Sequence, residues 1–237
     1  MHVQTFFYNV VLFCFLAVLM GSNTLDTLYG PPWNDPGAAT TPALFQASLA
    51  KYFGKNAAAV AAVYGAVTTD QDAYRTWLQI NGDACNMCPT RSLASLLTVQ
   101  GHAVYLYAFG FNPGSPPDHA LEGLAGHATE LPFAFGVPFA GFPNEGFPWQ
   151  PALAAATSDS WAAFIRTGDP NAKQGAGLWQ PFNTTTQPFV LVDSPSLAAK
   201  KGYRRQSCDF FDEFNLTPAN YLQFLEFCIQ YVLPGDI

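Results

Sequence analysis

Apolar positions follow two rhythms along this chain. Over residues 43–52, 56–64 and 70–80 they recur at three- and four-residue intervals among good helix formers, which predicts three helices. Residues 89–100 read as a fourth helix, with Pro89 at its first turn and Gly101 as terminator. The run "AVYLYAFGF" from Ala103 is β-branched and aromatic and predicts a strand, followed by a long polar loop over 112–126. A helix is expected from about Pro151 to Thr167, with Trp161, Phe164 and Ile165 on one side and a stop at Gly168-Asp169-Pro170. "QPFVLVD", residues 187–193, reads as a short final strand. In the tail, Thr217 is placed as N-cap and Pro218 at the first helical position, and Leu222, Leu225, Ile229 and Val232 share a face. Strands alternating with helices predict a layered α/β fold, and the absence of repeats or low-complexity runs predicts one domain.

The N-terminal run has two readings. From Phe6 to Met20 it is apolar apart from Asn9, shorter than the roughly 20 residues a bilayer-spanning helix needs, so no transmembrane span is expected. It fits the apolar stretch of a secretory signal, with Gly21 and Ser22 as small residues, although its start carries only the α-amine and His2. Alternatively "FCFLAVLMG" is a buried strand, since short apolar runs ending at Gly suit the interior of a parallel sheet.

Composition narrows the class. Of 237 residues, 49% are apolar, 15% aromatic and 11% charged, which excludes a disordered chain and predicts a sizeable core. Ten basic against 17 acidic residues give a net charge of -7. A nucleic-acid partner needs a basic footprint, and none exists here.

The five cysteines are Cys14, Cys85, Cys88, Cys208 and Cys228. Cys85 and Cys88 form a C-x-x-C, but no second C-x-x-C or H-x-x-x-H supplies the other ligands of a zinc site, so no metal is expected. Sequons at Asn183 and Asn215 accord with a secreted or secretory-pathway protein carrying disulfides.

One constellation carries chemistry. A loop histidine alone is more often structural than catalytic. His127, however, lies in "GLAGHATELPFAFG", Gly123 to Gly136, and three further segments stand in a fixed order around it: "GSNTLDTLYG" from Gly21, "WAAFIRTGDPN" from Trp161 and "LWQPF" from Leu178. "MCPTR" and "SCDFFDEF" add two cysteine segments. Together these resemble the C-terminal part of type-B carboxylesterases and cholinesterases, over about residues 15–214. An apolar leader, 1–14, precedes that region, and a tail helix, 215–237, follows it.

The resemblance implies the C-terminal part of an α/β-hydrolase fold, an incomplete mixed sheet with flanking helices. It implies His127 as general base, taking the proton from a serine as it attacks an ester and returning it to the leaving alcohol. It implies Asp26 as the acid that fixes the imidazole tautomer, in the acid-before-histidine order of α/β hydrolases. The family usually has Glu there, so with the shorter Asp the strand must approach His127 more closely. Glu130 matches a supporting carboxylate, and Cys88 and Cys208 match a family disulfide. No role is implied for His2, His102 or His119, the pairing of Cys85 and Cys228 stays open, and no cofactor is implied.

No Gly-x-Ser-x-Gly nucleophile elbow occurs in the 237 residues, nor does a glycine-rich oxyanion loop. The expectation is therefore a carboxylesterase fragment, inactive alone, whose intact form hydrolyses a small carboxylic ester. A reading frame that starts inside the esterase region would produce this pattern, and part of the apolar excess would then be unmatched interface. A complementing N-terminal half is one candidate partner. The rival is a non-catalytic binding or adhesion protein of cholinesterase-like fold.

Overall fold

The computed structural model describes residues 17–26, 41–111, 125–138, 149–171, 177–193 and 195–213. The tail helix, the leader before residue 17 and most of the polar loop lie outside them. The chain divides into two compact units.

The first unit holds a four-stranded sheet in the order β1 (Ala17–Asn23), β2 (Ala103–Phe109), β3 (Pro188–Asp193), β4 (Ser196–Lys201). β2 runs parallel to β3, with Tyr107 opposite Val190 and Phe109 opposite Val192. β4 returns antiparallel, with Asp193 opposite Ser196. All but two β2 residues are buried, so side chains on both of its faces are covered, as an interior strand requires. In β3 the deeply buried positions alternate, which leaves one face less covered. β4 ends in two exposed lysines, a charged edge that discourages further pairing. The sheet therefore does not end at residues 187–193: the expected final strand is followed by β4, whose polar sequence carries little strand signal of its own.

A 17-residue helix, Pro151–Thr167, packs aromatic side chains on the sheet, Phe164 on Tyr105 and Trp161 on Tyr107 with ring centres 6.2 and 4.9 Å apart. Gly168 ends it in the left-handed conformation, φ 74°, a backbone state that favours glycine. Past that stop, Asn171 accepts from the Trp179 backbone N–H at 2.9 Å and donates to its carbonyl at 2.8 Å. This clasp gives the Gly-Asp-Pro-Asn and Leu-Trp-Gln-Pro segments a shared structural purpose.

The second unit is helical. We number its helices α1 (Pro42–Phe53), α2 (Ala57–Tyr64), α3 (Asp70–Gly82), α4 (Cys88–Val99, whose last ten residues belong to the first unit) and, beyond two helices of the first unit, α7 (Arg205–Glu213). Those two are α5 (Leu131–Phe135) and α6 (Pro151–Thr167). Thr41 caps α1, and Thr69 with Asp72 forms a reciprocal capping box on α3. Phe45, Leu49, Val60, Ala73, Trp77 and Ile80 interlock as its core.

The helix expected at 89–100 is α4, with Pro89 in its first turn, but α4 follows α3 through a π-helical turn, Asp83–Met87, rather than through a loop. The missing N–H of Pro89 follows a turn whose hydrogen bonding is already out of α register. The segment 205–213, to which the sequence reading assigns no element, is a helix that packs Phe211 against Phe53 at 6.4 Å and is joined to α4 by a Cys88–Cys208 disulfide.

Candidate active site

β1 carries two residues beyond Gly21 before it turns, so Ser22 and Asn23 are strand residues rather than loop. Gly21 is required by a close approach: a Cβ there would overlap both the ring and the carbonyl oxygen of Tyr107 on β2. From the strand end, residues 24–26 and the histidine loop run together. Leu25 N–H donates to Ala125 O at 2.9 Å, and Ala125 N–H donates to Thr24 Oγ1 at 3.3 Å.

Asn23 ties the two loops. Its Nδ2 donates to Gly126 O and to Glu130 Oε2, both at 2.6 Å; since both partners are acceptors, the amide nitrogen must face them. Its backbone N–H donates to Asp26 Oδ2 at 3.2 Å. Thr129 Oγ1 adds a 2.7 Å bond to Gly126 O, and Ala128 takes a left-handed φ of 65°, which sharpens the turn around the histidine.

These contacts bring His127 Nδ1 to 2.8 Å from Asp26 Oδ1. An ionised carboxylate only accepts, so Nδ1 carries the proton and Nε2 presents its lone pair. The His127 side chain is 47% exposed and that of Asp26 18%, so the acid is the more sheltered partner. No hydrogen-bond partner of Nε2 is present among the described residues. The arrangement can accept a proton at Nε2 and hold the resulting imidazolium against the carboxylate.

Of the sequence candidates, Asp26 and Glu130 both bond Asn23, and His127 pairs with Asp26. Sequence reasoning gave Asn23 no role beyond its place in the segment from Gly21, and Arg204, which donates to Thr24 O at 2.6 Å, had no signal there. Cys88 and Cys208 form a disulfide, and Cys85 is disulfide-bonded as well. Asn183 is exposed, His102 is half-buried ahead of β2, and Asn215, Cys14, Cys228, His2 and His119 lie outside the described residues. Among the described residues, no group of three or more His, Cys, Asp or Glu is placed to hold a metal ion, and no helix is long and apolar enough to cross a membrane.

A mixed sheet with flanking helices in this order is part of an α/β-hydrolase fold. The carboxylesterase family model matches residues 40–211, and the chain belongs to that family. Acetylcholinesterase of Gallus gallus is 29% identical over 136 residues, which covers 57% of this chain and 17% of that protein. Acetylcholinesterase of Bungarus fasciatus is 27% identical over 142 residues, covering 57% and 22%. The chain thus matches less than a quarter of the length of these relatives. His127, Glu130, Cys88 and Cys208 lie within the family match, whereas Asp26 precedes it.

Proposed function

We propose that this chain supplies the acid and base of a serine carboxylesterase site. The observation that carries the reading is the 2.8 Å contact of His127 Nδ1 with Asp26 Oδ1, in a chain of the carboxylesterase family. His127 takes the serine proton through Nε2 as the ester carbonyl is attacked, Asp26 stabilises the imidazolium, and the proton then passes to the departing alcohol. Glu130 orients the histidine loop through Asn23. The nucleophile comes from a Gly-x-Ser-x-Gly elbow that these 237 residues do not contain, so the isolated chain does not turn over. The substrate is a small carboxylic ester, and the natural counterpart is an N-terminal half bearing the serine.

A second reading, a non-catalytic binding or adhesion protein, is favoured by that same missing elbow. Nitrophenyl ester hydrolysis distinguishes them. The purified chain should be inactive, and co-expression with an N-terminal carboxylesterase half should restore activity. Turnover by the chain alone that His127→Ala abolishes contradicts the proposal, while a complex that never turns over favours the binding protein.

The disulfides and sequons support a secretory location. In the exposed turn 183–186, Asn183 Oδ1 accepts from the N–H groups of Thr185 and Thr186, and Asn183 is a glycan acceptor in this reading. Chain made in secretory cells should lose mass on amidase deglycosylation, and Asn183→Gln should lose the glycan at that position. An unmodified Asn183 in secreted chain would remove this part of the proposal.

A further inference from the structure

The helix that starts at Asp70 widens at Asp83–Met87, where the Cys88 N–H donates to Asp83 O, five residues back. Such π turns give up good α-helical hydrogen bonding and recur at functional sites. Here the turn faces the acid loop. Asn86 Nδ2 donates to the backbone carbonyl of Asp26. Gly82, immediately before the turn, lies so near the loop that a Cβ there would stand 3.3 Å from Asp26 N and 3.7 Å from the Leu25 carbonyl carbon. Asp83 and Met87 reach the loop through Arg204: its Nε is 3.1 Å from Asp83 Oδ1 and 3.2 Å from Met87 Sδ, while its Nη2 donates to Thr24 O. Covalent bonds at Cys85 and Cys88 tie down the turn itself.

An aspartate has a short side chain, so its carboxylate can be no better placed than its backbone. The Asn23 N–H holds the Asp26 carboxylate, and residues 82–87 meet the backbone of residues 25–26 through the Asn86 amide and the close approach of Gly82. We propose that the π turn Asp83–Met87 is the seat of the acid loop, and that Asn86 is a positioning residue that fixes Asp26 against His127 by holding the Asp26 carbonyl. This rests on the acid and base reading of Asp26 and His127. Asn86 touches no reacting atom; it acts through the placement of Asp26.

The test is the imidazole tautomer, read from the 15N shifts of His127 in the histidine-labelled full chain, with His127→Gln to assign the signal. Wild type should be predominantly the Nδ1–H form, and Asp26→Asn should lose that preference. Asn86→Leu, similar in size but without a donor, should lower the Nδ1–H to Nε2–H ratio about five-fold, the equivalent of one lost hydrogen bond. Asn86→Gln should recover part of it, which general destabilisation would not. A wild-type ratio in folded Asn86→Leu overturns the proposal and leaves the Asp26–His127 pair standing. Absence of the preference in wild type overturns both. If Asn86→Leu does not fold, the wild-type Asn86 side-chain amide decides: its protons should exchange about ten-fold or more slowly than those of a free asparagine, and free-amide exchange overturns the proposal.

Discussion

Asn23 Nδ2 donates to Glu130 Oε2 at 2.6 Å across 107 positions of sequence. This one amide joins the strand that presents Asp26 to the loop that presents His127, because it also holds Gly126 O. Asn23→Leu removes the Glu130 carboxylate's bond in a half-buried site, while Gly126 O keeps Thr129 as a donor, and should cost about 2–3 kcal/mol of stability. Glu130→Gln keeps an acceptor oxygen and should cost less than about 1.5 kcal/mol. Urea denaturation of the two variants checks the order. Equal losses would mean that the Asn23 bond to the carboxylate does not carry the join.

Gly21→Ala should destabilise the chain by about 1–3 kcal/mol, since the new methyl overlaps Tyr107 where β1 and β2 approach. Part of the obstacle is the Tyr107 carbonyl oxygen, which no side-chain change removes. Adding Tyr107→Ala should therefore fail to restore stability, as read from the urea midpoint, whereas full rescue would place the clash in the ring alone.

How much of this was legible in the sequence depended on whether a signal was local. α6 was legible: Pro151 opens it, Gly168 closes it, and its aromatic face repeats at helical intervals. The His127 loop was legible as a motif with a fixed order of neighbours. β4 was not, since "SLAAKK" becomes a strand only by pairing with β3. α7 was hidden for a similar reason, its position depending on Cys208 and Phe211, whose partners are 120 and 158 residues away. The π turn was invisible because its contacts are tertiary: residues 82–87 meet residues 24–26 and Arg204, while Pro89, in the first turn of α4, marks only where that helix begins. Asp26 was read as shorter than its family counterpart, but the contacts that place it, from Asn23 and Asn86, have no periodicity to reveal them.

The buried carboxyl that opens the π turn, Asp83, makes stability depend on pH. Burial holds the Asp83 carboxyl above its usual 3.8, and Arg204, Ser207 and Tyr64 offset that only in part. Its folded value being raised, the contribution of Asp83 is full below about pH 3.8 and is lost as pH rises through the folded value. Relative to Asp83→Asn, the wild-type chain should therefore lose stability as pH rises above about 4, followed by thermal denaturation. Parallel curves for the two proteins would contradict the assignment. Tyr64, whose hydroxyl donates to Asp83 Oδ2 at 3.0 Å, is pushed up first by burial and then by that neighbouring charge. Its phenolate should appear only as the chain unfolds in alkali.

The central claim is that His127 and Asp26 work as base and acid for a nucleophile held elsewhere. Its most direct measurement is kcat for nitrophenyl ester hydrolysis by the chain complemented with a serine-bearing N-terminal half. Asp26→Asn should lower kcat by about 10⁴-fold, the effect of turning a triad acid into an amide. His127→Ala should lower it further, towards about 10⁶-fold. A complex that keeps near wild-type kcat with either substitution would contradict the account.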